Sequence, residues 1–151
     1  MDNTQRGILI LIKCAVTGEV LPLPDDFSLE DAFTICHKRQ LLPLLYAGAV
    51  RCGFPKQDPL MIKMLQYYFK YMVRSEKQMT DLQRVLDAFD KHGIDYLPLK
   101  GSHLKSLYPK PELRLMGDAD ILIRMDQYDK IIPLMEKLGF REKYESDHEL
   151  A

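Results

Sequence analysis

Residues 99–123 read LKGSHLKSLYPKPELRLMGDADILI, and this segment carries the residues that say most about the fold and function of the chain. A glycine-serine pair, Gly101 and Ser102, follows a short apolar run. Two carboxylates, Asp118 and Asp120, lie one residue apart at the start of a second apolar run. Glycine lets a phosphate approach the backbone, and paired carboxylates can hold a divalent cation. The segment therefore predicts a site for a metal and a nucleoside triphosphate, provided that its two halves face each other.

The two carboxylates are expected on one face of a strand. Side chains alternate along residues 118–123, which places Asp118, Asp120 and Leu122 on the same side. Two ionised carboxylates at that spacing repel each other unless a cation lies between them. Oxygen ligands suit Mg²⁺ or Mn²⁺, which bind through one or two carboxylates together with substrate phosphates. D-x-D also occurs by chance on solvent-exposed strands. The pair alone is therefore compatible either with a metal site or with ordinary surface charge.

The glycine-serine pair is expected at a turn between a strand over residues 94–99 and a short helix over residues 102–107. The start of a helix presents free backbone N–H groups and the positive end of the helix dipole. Lys100, Lys105 and Arg114 are the cations close enough in sequence to contact the same anion. An ordinary turn and surface ion pairs are the alternative interpretations of these residues.

The first ninety residues predict a series of helices. Thr4 and Ser28 are the expected N-caps of the first two helices, and Pro43 is expected in the first turn of a third. Asp58, which is followed by proline, predicts the start of a long helix that ends at Gly93.

The long helix has a clear sequence pattern. Residues 60–92 contain no glycine or proline, and their apolar side chains recur at helical spacing. At 1.5 Å per residue, an uninterrupted helix of this length extends about 50 Å. The polar stretch over residues 74–78 is where we expect a break. The period changes after the long helix, so we expect a helical region over residues 1–92 and an α/β core over residues 93–151.

The composition is that of a globular protein, with 151 residues, 46% hydrophobic and 28% charged. A net charge of −1 gives no overall field that would attract nucleic acid or an anionic membrane. Three widely spaced cysteines form no zinc-binding pattern, and we expect them to be buried and reduced. No apolar stretch is long enough to cross a membrane and no signal peptide is recognised, which predicts a cytoplasmic protein.

Residues 93–123 resemble the nucleotidyltransferase superfamily typified by DNA polymerase beta, and most closely the uncharacterised bacterial nucleotidyltransferase family. Members of that family read LKG, then a helix, then YP-P, then an arginine, then D-x-D and a hydrophobic residue. Here these elements are residues 99–101, Tyr108 with Pro109 and Pro111, Arg114, and residues 118–121. The helical lead-in, including LLPLLY at residues 41–46, is also similar, so the resemblance covers most of the chain.

The resemblance implies an α+β fold, in which an N-terminal helical region precedes a nucleotidyltransferase-type mixed sheet flanked by helices. It implies that Asp118 and Asp120 are catalytic and bind Mg²⁺ (or Mn²⁺), and that an NMP group passes from an NTP to an unknown acceptor. The residues implied to contact the NTP are Lys100, Gly101, Ser102 and Arg114.

The superfamily pattern also includes a third carboxylate on a later strand. The late acids in this sequence are Glu145, Asp147 and Glu149. None of them lies in a clear apolar strand, so none is assigned. We therefore expect the nucleotidyltransferase-like core of residues 93–151 to be truncated at its C-terminal end and its sheet to be incomplete.

A different class of function stays open beside the enzyme. Lacking a third carboxylate, the protein would be a catalytically incomplete relative that binds a partner, or a second copy of itself, through the helical region. The Met, Tyr and Leu content of residues 60–73 exceeds what one helix face normally buries, which favours this alternative. A plain structural fragment is a third interpretation.

Overall fold

Six α-helices and two short strands form residues 2–141, the part of the chain that this computed structural model describes, apart from the side chain of Ser102. The helices are α1 (Asn3–Thr17), α2 (Leu29–Lys38), α3 (Leu42–Arg51), α4 (Pro59–Lys91), α5 (Lys100–Lys105) and α6 (Tyr128–Lys137). The strands are β1 (Tyr96–Pro98) and β2 (Ile121–Ile123), and 3₁₀ turns occupy Pro111–Leu113 and Met125–Gln127. The expected α+β class is confirmed. The late acids Glu145, Asp147 and Glu149 lie outside the described residues.

Two helices begin at the capping residues that the sequence predicts. The Asp58 carboxylate accepts hydrogen bonds from the backbone N–H groups of Leu60 and Met61, at 2.8 and 3.3 Å. The Ser28 hydroxyl accepts one from the N–H of Asp31 at 3.2 Å. Each side chain thereby satisfies a backbone donor that lacks an acceptor within its own helix.

The predicted start of α1 is wrong by two residues. Asp2, rather than Thr4, is the N-cap, because its carboxylate accepts a hydrogen bond from the N–H of Gln5 at 2.7 Å. The predicted end of α4 is confirmed at Gly93, and α1 ends in the same way at Gly18; the two glycines adopt φ values of 63° and 75°. Glycine reaches this left-handed region without steric penalty.

The break expected within residues 74–78 is also wrong, since α4 continues through this stretch without interruption. Ser75 is only 4% exposed, and the Gln78 side-chain amide donates to the carbonyl oxygens of Met116 and Gly117 at 2.9 and 3.0 Å. Gln78 therefore has polar partners far along the chain, and so does Ser75, which accepts a hydrogen bond from the Lys105 ammonium. Periodicity within the helix contains no information about those partners.

Two hydrophobic clusters pack against opposite halves of α4. The buried members of the first, from α1 to the start of α4, are Ile8, Leu11, Leu29, Ala32, Cys36, Leu42, Leu45, Ala49, Met61 and Met64. The buried members of the second, which joins the end of α4 to the sheet and α6, are Val85, Phe89, Ile94 and Ile131. Helix α4 is common to both clusters.

The two strands form an antiparallel pair with one covered face. Tyr96 lies opposite Ile123, and Leu97 lies opposite Leu122. Tyr96, Ile121 and Ile123 pack against the second cluster. On the other face, Leu97 and Leu122 are each 57% exposed.

Both strands are shorter than the sequence predicts. The expected strands covered residues 94–99 and 118–123, whereas three residues of each are paired. Asp118 and Asp120 precede β2, so the alternation of side chains along a strand does not determine which way they point.

The three cysteines are buried or half-buried. Cys14 and Cys36 are buried, Cys52 is half-buried, and all three are free thiols. Burial raises the pKa of the Cys36 thiol to about 11, so this side chain stays neutral near pH 7. Within residues 2–141, no helix combines the length and the apolar content needed to cross a membrane.

A close backbone contact between α1 and α3 occurs at Gly48 and gives a test of the first cluster. A Cβ atom added at Gly48 would lie 2.1 Å from the carbonyl oxygen of Leu11, and the backbone cannot rotate away as a side chain can. We expect Gly48→Ala to lower the free energy of unfolding by at least about 2 kcal/mol, measured by urea denaturation. Gly117→Ala is the control, because nothing lies within 4 Å of a Cβ added there. Equal stability of Gly48→Ala and the wild type would contradict this packing.

Candidate functional site

The two halves of residues 99–123 meet beside the strand pair. The backbone N–H of Leu99 donates to the carbonyl oxygen of Asp120 at 2.9 Å, next to the paired residues of β1 and β2. Gly101 lies in the first turn of α5. A Cβ atom there would lie 3.2 Å from Met116 Sδ and 3.6 Å from the carbonyl oxygen of Asp118. Glycine therefore lets the start of α5 pack closely against the segment that carries both carboxylates.

The carboxylate side chains of this segment are accessible. Asp118 and Asp120 are exposed, and neither side chain forms an ion pair or hydrogen bond with any other residue in 2–141. Asp118 borders a groove of about 380 Å³, together with Met116 and Phe140. We call it the acidic groove.

The donor set suits a hard cation that is only partly coordinated by protein. In the described part of the chain, no group of three or more His, Cys, Asp or Glu side chains is arranged to hold a metal. Asp118 and Asp120 supply oxygen ligands only. Mg²⁺ commonly binds through one or two carboxylates and completes its coordination with water and phosphate oxygens. The two acids therefore fit such a cation if a phosphate-bearing substrate supplies the remaining ligands.

Helix α4 holds the backbone next to these acids. The Gln78 amide nitrogen donates to the carbonyl oxygens of both Met116 and Gly117, directly before Asp118. The sequence pattern alone does not identify Gln78 or Ser75 as neighbours of these acids. Both residues belong to the polar stretch within the apolar helix, where a break was expected.

Lys105 is enclosed between α5 and α4. Its side chain is 1% exposed, and its ammonium donates to the Ser75 hydroxyl. Burial lowers the pKa of Lys105, the charge of Glu112 raises it, and the charge of Arg114 lowers it. Glu112 accepts a 2.7 Å hydrogen bond from the hydroxyl of Tyr68. The expectation that Lys105 contacts a bound anion is wrong, because the ammonium has no access to a ligand.

Lys100 lies beside a second groove, of about 610 Å³. Its other lining residues include His103, Leu97 and Leu99. Leu82 of α4 borders both this groove and the acidic groove, so the two adjoin. Lys100, the first residue of α5, therefore lines a groove that adjoins the one bordered by Asp118.

Arg114 occupies a different place. It lines a third cavity, of about 280 Å³, with Tyr108 and the connection between α2 and α3. This cavity shares no lining residue with the grooves of Lys100 and Asp118. Lys100, Arg114 and Asp118 thus border three different cavities, and those of Lys100 and Asp118 adjoin.

The fold thus brings a glycine-serine pair in the first turn of α5 against a D-x-D segment, after a series of helices. The model of a family described as uncharacterised nucleotidyltransferase matches residues 25–151, and the chain belongs to this family. The match spans α2 to α6 and includes both motifs. No curated protein matches the chain, and no solved structure does.

Replacement of Lys105 by methionine tests the free-energy cost of the buried ammonium. The lowered pKa means that the folded protein disfavours the charged form relative to the unfolded chain. This penalty is present at pH 7 and fades as the pH rises from the lowered pKa toward the ordinary value of 10.5. We expect Lys105→Met to be more stable than the wild type by about 1 kcal/mol at pH 7, and this difference to shrink toward pH 10.5.

Ser75→Ala is the matched variant for that experiment. It keeps the ammonium but removes its hydrogen-bond acceptor, so we expect a loss of about 1–3 kcal/mol in the free energy of unfolding. A stability difference between Lys105→Met and the wild type that stays constant with pH would show that the ammonium is not desolvated.

Proposed function

We propose that this protein transfers an NMP group from an NTP to an acceptor, with a divalent cation held by Asp118 and Asp120. Its membership in a nucleotidyltransferase family supports this reaction class. The single observation that carries the proposal is the close packing of Gly101 against the side chain of Met116 and the backbone carbonyl of Asp118. This contact supports the proposal because it brings the first turn of α5 close to the segment that carries two accessible carboxylates.

Each residue has a distinct role in the proposed reaction. Asp118 and Asp120 bind Mg²⁺ or Mn²⁺, which when bound offsets the negative charge on the phosphate oxygens. Gly101 and Ser102 present backbone N–H groups of the first turn of α5, which have no acceptor within the helix. Lys100 supplies positive charge beside that turn. The acceptor oxygen bonds to the α-phosphorus, and pyrophosphate leaves.

Arg114 is not included among these residues. It lines a cavity separate from the acidic groove, and its guanidinium carbon lies 6.0 Å from the centre of the Tyr108 ring. The sequence motif places it only four residues before Asp118, but the intervening backbone leads into a different cavity.

The proposal predicts nucleotide binding that requires the cation and both acids. Asp120→Asn and Asp118→Asn each remove one anionic ligand. We therefore expect the affinity for a non-hydrolysable ATP or GTP analogue in the presence of Mg²⁺ to fall by roughly tenfold or more. Isothermal titration calorimetry with and without EDTA measures the effect, and circular dichroism verifies that each variant is folded.

Asp95→Asn is the matched control for these variants. Asp95 is exposed and pairs with Arg124 at 3.4 Å, away from the acidic groove, so this variant should bind nucleotide as the wild type does. Equal binding by the wild type and Asp120→Asn, or no binding by the wild type, would contradict the proposal.

A second candidate function, binding of a second copy of the chain or of a partner protein, is supported by one face of α4. Ile62, Phe69 and Val73 follow one another at spacings of seven and four residues, which places them on the same side of the helix. They are 45%, 51% and 62% exposed. Exposed apolar side chains grouped in this way are typical of interaction surfaces.

Self-association through this face has a direct test. We expect the mass measured by light scattering to rise with protein concentration, and the double variant Phe69→Ser with Val73→Ser to remain a monomer. Leu107→Ser is the control, because Leu107 is 67% exposed but lies outside α4. A wild-type chain that stays monomeric at every concentration would exclude self-association through this surface.

A further inference from the structure

We propose that the cavity lined by Arg114 is a separate anion site, which binds the phosphate group of a small phosphate monoester. We call this cavity the basic pocket. It has a volume of about 280 Å³, and its polar lining consists of Lys38, Arg39, Gln40, Tyr108 and Arg114. The inference does not depend on the nucleotidyl transfer proposed above, because the basic pocket shares no lining residue with the groove of Lys100 or with the acidic groove.

The charge of the basic pocket is unbalanced. Three of its lining residues are cations, and none is an acid. The side chains of Lys38 and Arg39 form no ion pair or hydrogen bond with another residue of the described chain. The nearby acid Glu112 is not part of the lining, and it accepts a hydrogen bond from Tyr68. Three like charges around one concave space attract an anion of opposite sign.

The cations are not needed to complete the end of α2. In place of side-chain donors, the backbone N–H of Leu41 donates to the carbonyl of Cys36 at 2.8 Å, and that of Gln40 donates to the carbonyl of His37 at 3.3 Å. These bonds satisfy the final carbonyl groups that a helix leaves without an intrahelical donor. Lys38 and Arg39 therefore stay available to a ligand.

Arg114 supplies the most direct indication of a ligand. Its Nε is buried and has no acceptor among the residues that the structure describes. A buried donor left without an acceptor costs about 1–3 kcal/mol, and more when the group is charged. The planar guanidinium matches the oxygens of a phosphate in a two-bond arrangement. Because Arg114 lines the basic pocket, a phosphate bound there would offset the charge of its guanidinium.

The backbone at the rim of the basic pocket supports a role for Gln40. This residue adopts a φ of 58°, where glycine is usually found after a helix. A side chain in the left-handed region costs roughly 1–2 kcal/mol. The chain nevertheless has an amide-bearing residue here, and this amide can donate to a phosphate oxygen.

The volume limits the size of the ligand. Cavities that hold drug-sized molecules are typically about 300–1,000 Å³, so the basic pocket fits a phosphate with a small organic group. Lys38, Arg39 and Leu41 also line a neighbouring groove of about 530 Å³, and a nucleoside triphosphate would have to extend from the basic pocket into that groove. The chemistry and the size together favour a small phosphate monoester.

Thermal unfolding with inorganic phosphate and with methyl phosphate tests the inference, with sodium chloride used to keep the ionic strength constant. A ligand that binds only the folded protein raises the Tm, so both probes should stabilise the wild type in a saturable way. Arg114→Gln should lower the affinity for each probe by roughly tenfold or more, because the charged two-bond contact is lost. The double variant Lys38→Gln with Arg39→Gln should also lower the affinity for both probes. Because both positions are exposed, this variant should fold and keeps the test valid if Arg114→Gln does not fold.

Two controls distinguish this site from other sources of stabilisation. Arg84→Gln removes an exposed cation that pairs with Asp81 at 3.4 Å, and it should bind phosphate as the wild type does. Asp118→Asn should also leave phosphate binding unchanged, whatever its effect on nucleotide binding. The inference is overturned if the wild type shows no saturable effect, if Arg114→Gln and the double variant respond as the wild type does, or if Asp118→Asn abolishes the response.

Discussion

The continuity of α4 is the constraint on which the other parts of the structure depend. Its first half packs in the cluster of the N-terminal helices, and its second half packs against the sheet and α6. Between these apolar halves, Gln78 bonds to the two residues directly before Asp118, and Ser75 bonds to Lys105 of α5. Because α4 is one uninterrupted helix whose backbone hydrogen bonds resist bending, it fixes the position of one cluster relative to the other. The place of the D-x-D segment is therefore defined relative to the helical region.

The contacts at the middle of α4 are polar, and this has physical consequences for the site. A buried ammonium loses its hydration, so Lys105 is retained at a cost that an apolar side chain would avoid. In return, directional hydrogen bonds specify one register between helix and segment, whereas apolar packing tolerates small shifts. The bonds from Gln78 act on the carbonyls of Met116 and Gly117, immediately before Asp118. The orientation of the backbone at the acids thus depends on a side chain of the helical region.

Cations that are close together in the sequence serve different surfaces in the fold. Lys100 borders an open groove, Lys105 is buried, and Arg114 lines the basic pocket. The 3₁₀ turn Pro111–Leu113 causes part of this separation, because Leu113 is buried and anchors the chain between α3, α4 and α5. Arg114 and Leu115 line the basic pocket directly after that anchor, whereas Met116 and Asp118 border the acidic groove.

Local sequence determined the elements whose causes are local. The Asp58 cap with proline, the Ser28 cap and the glycine at the end of α4 define helix ends through contacts within a few residues, so the sequence predicted them. The motif also indicated the nucleotidyltransferase family, to which the chain belongs. Only the tertiary structure decided that the polar stretch of α4 is continuous, that Lys105 is buried and that Arg114 faces another cavity. Those outcomes depend on partners 30 or more residues away along the chain, and a pattern read within one segment does not contain such partners.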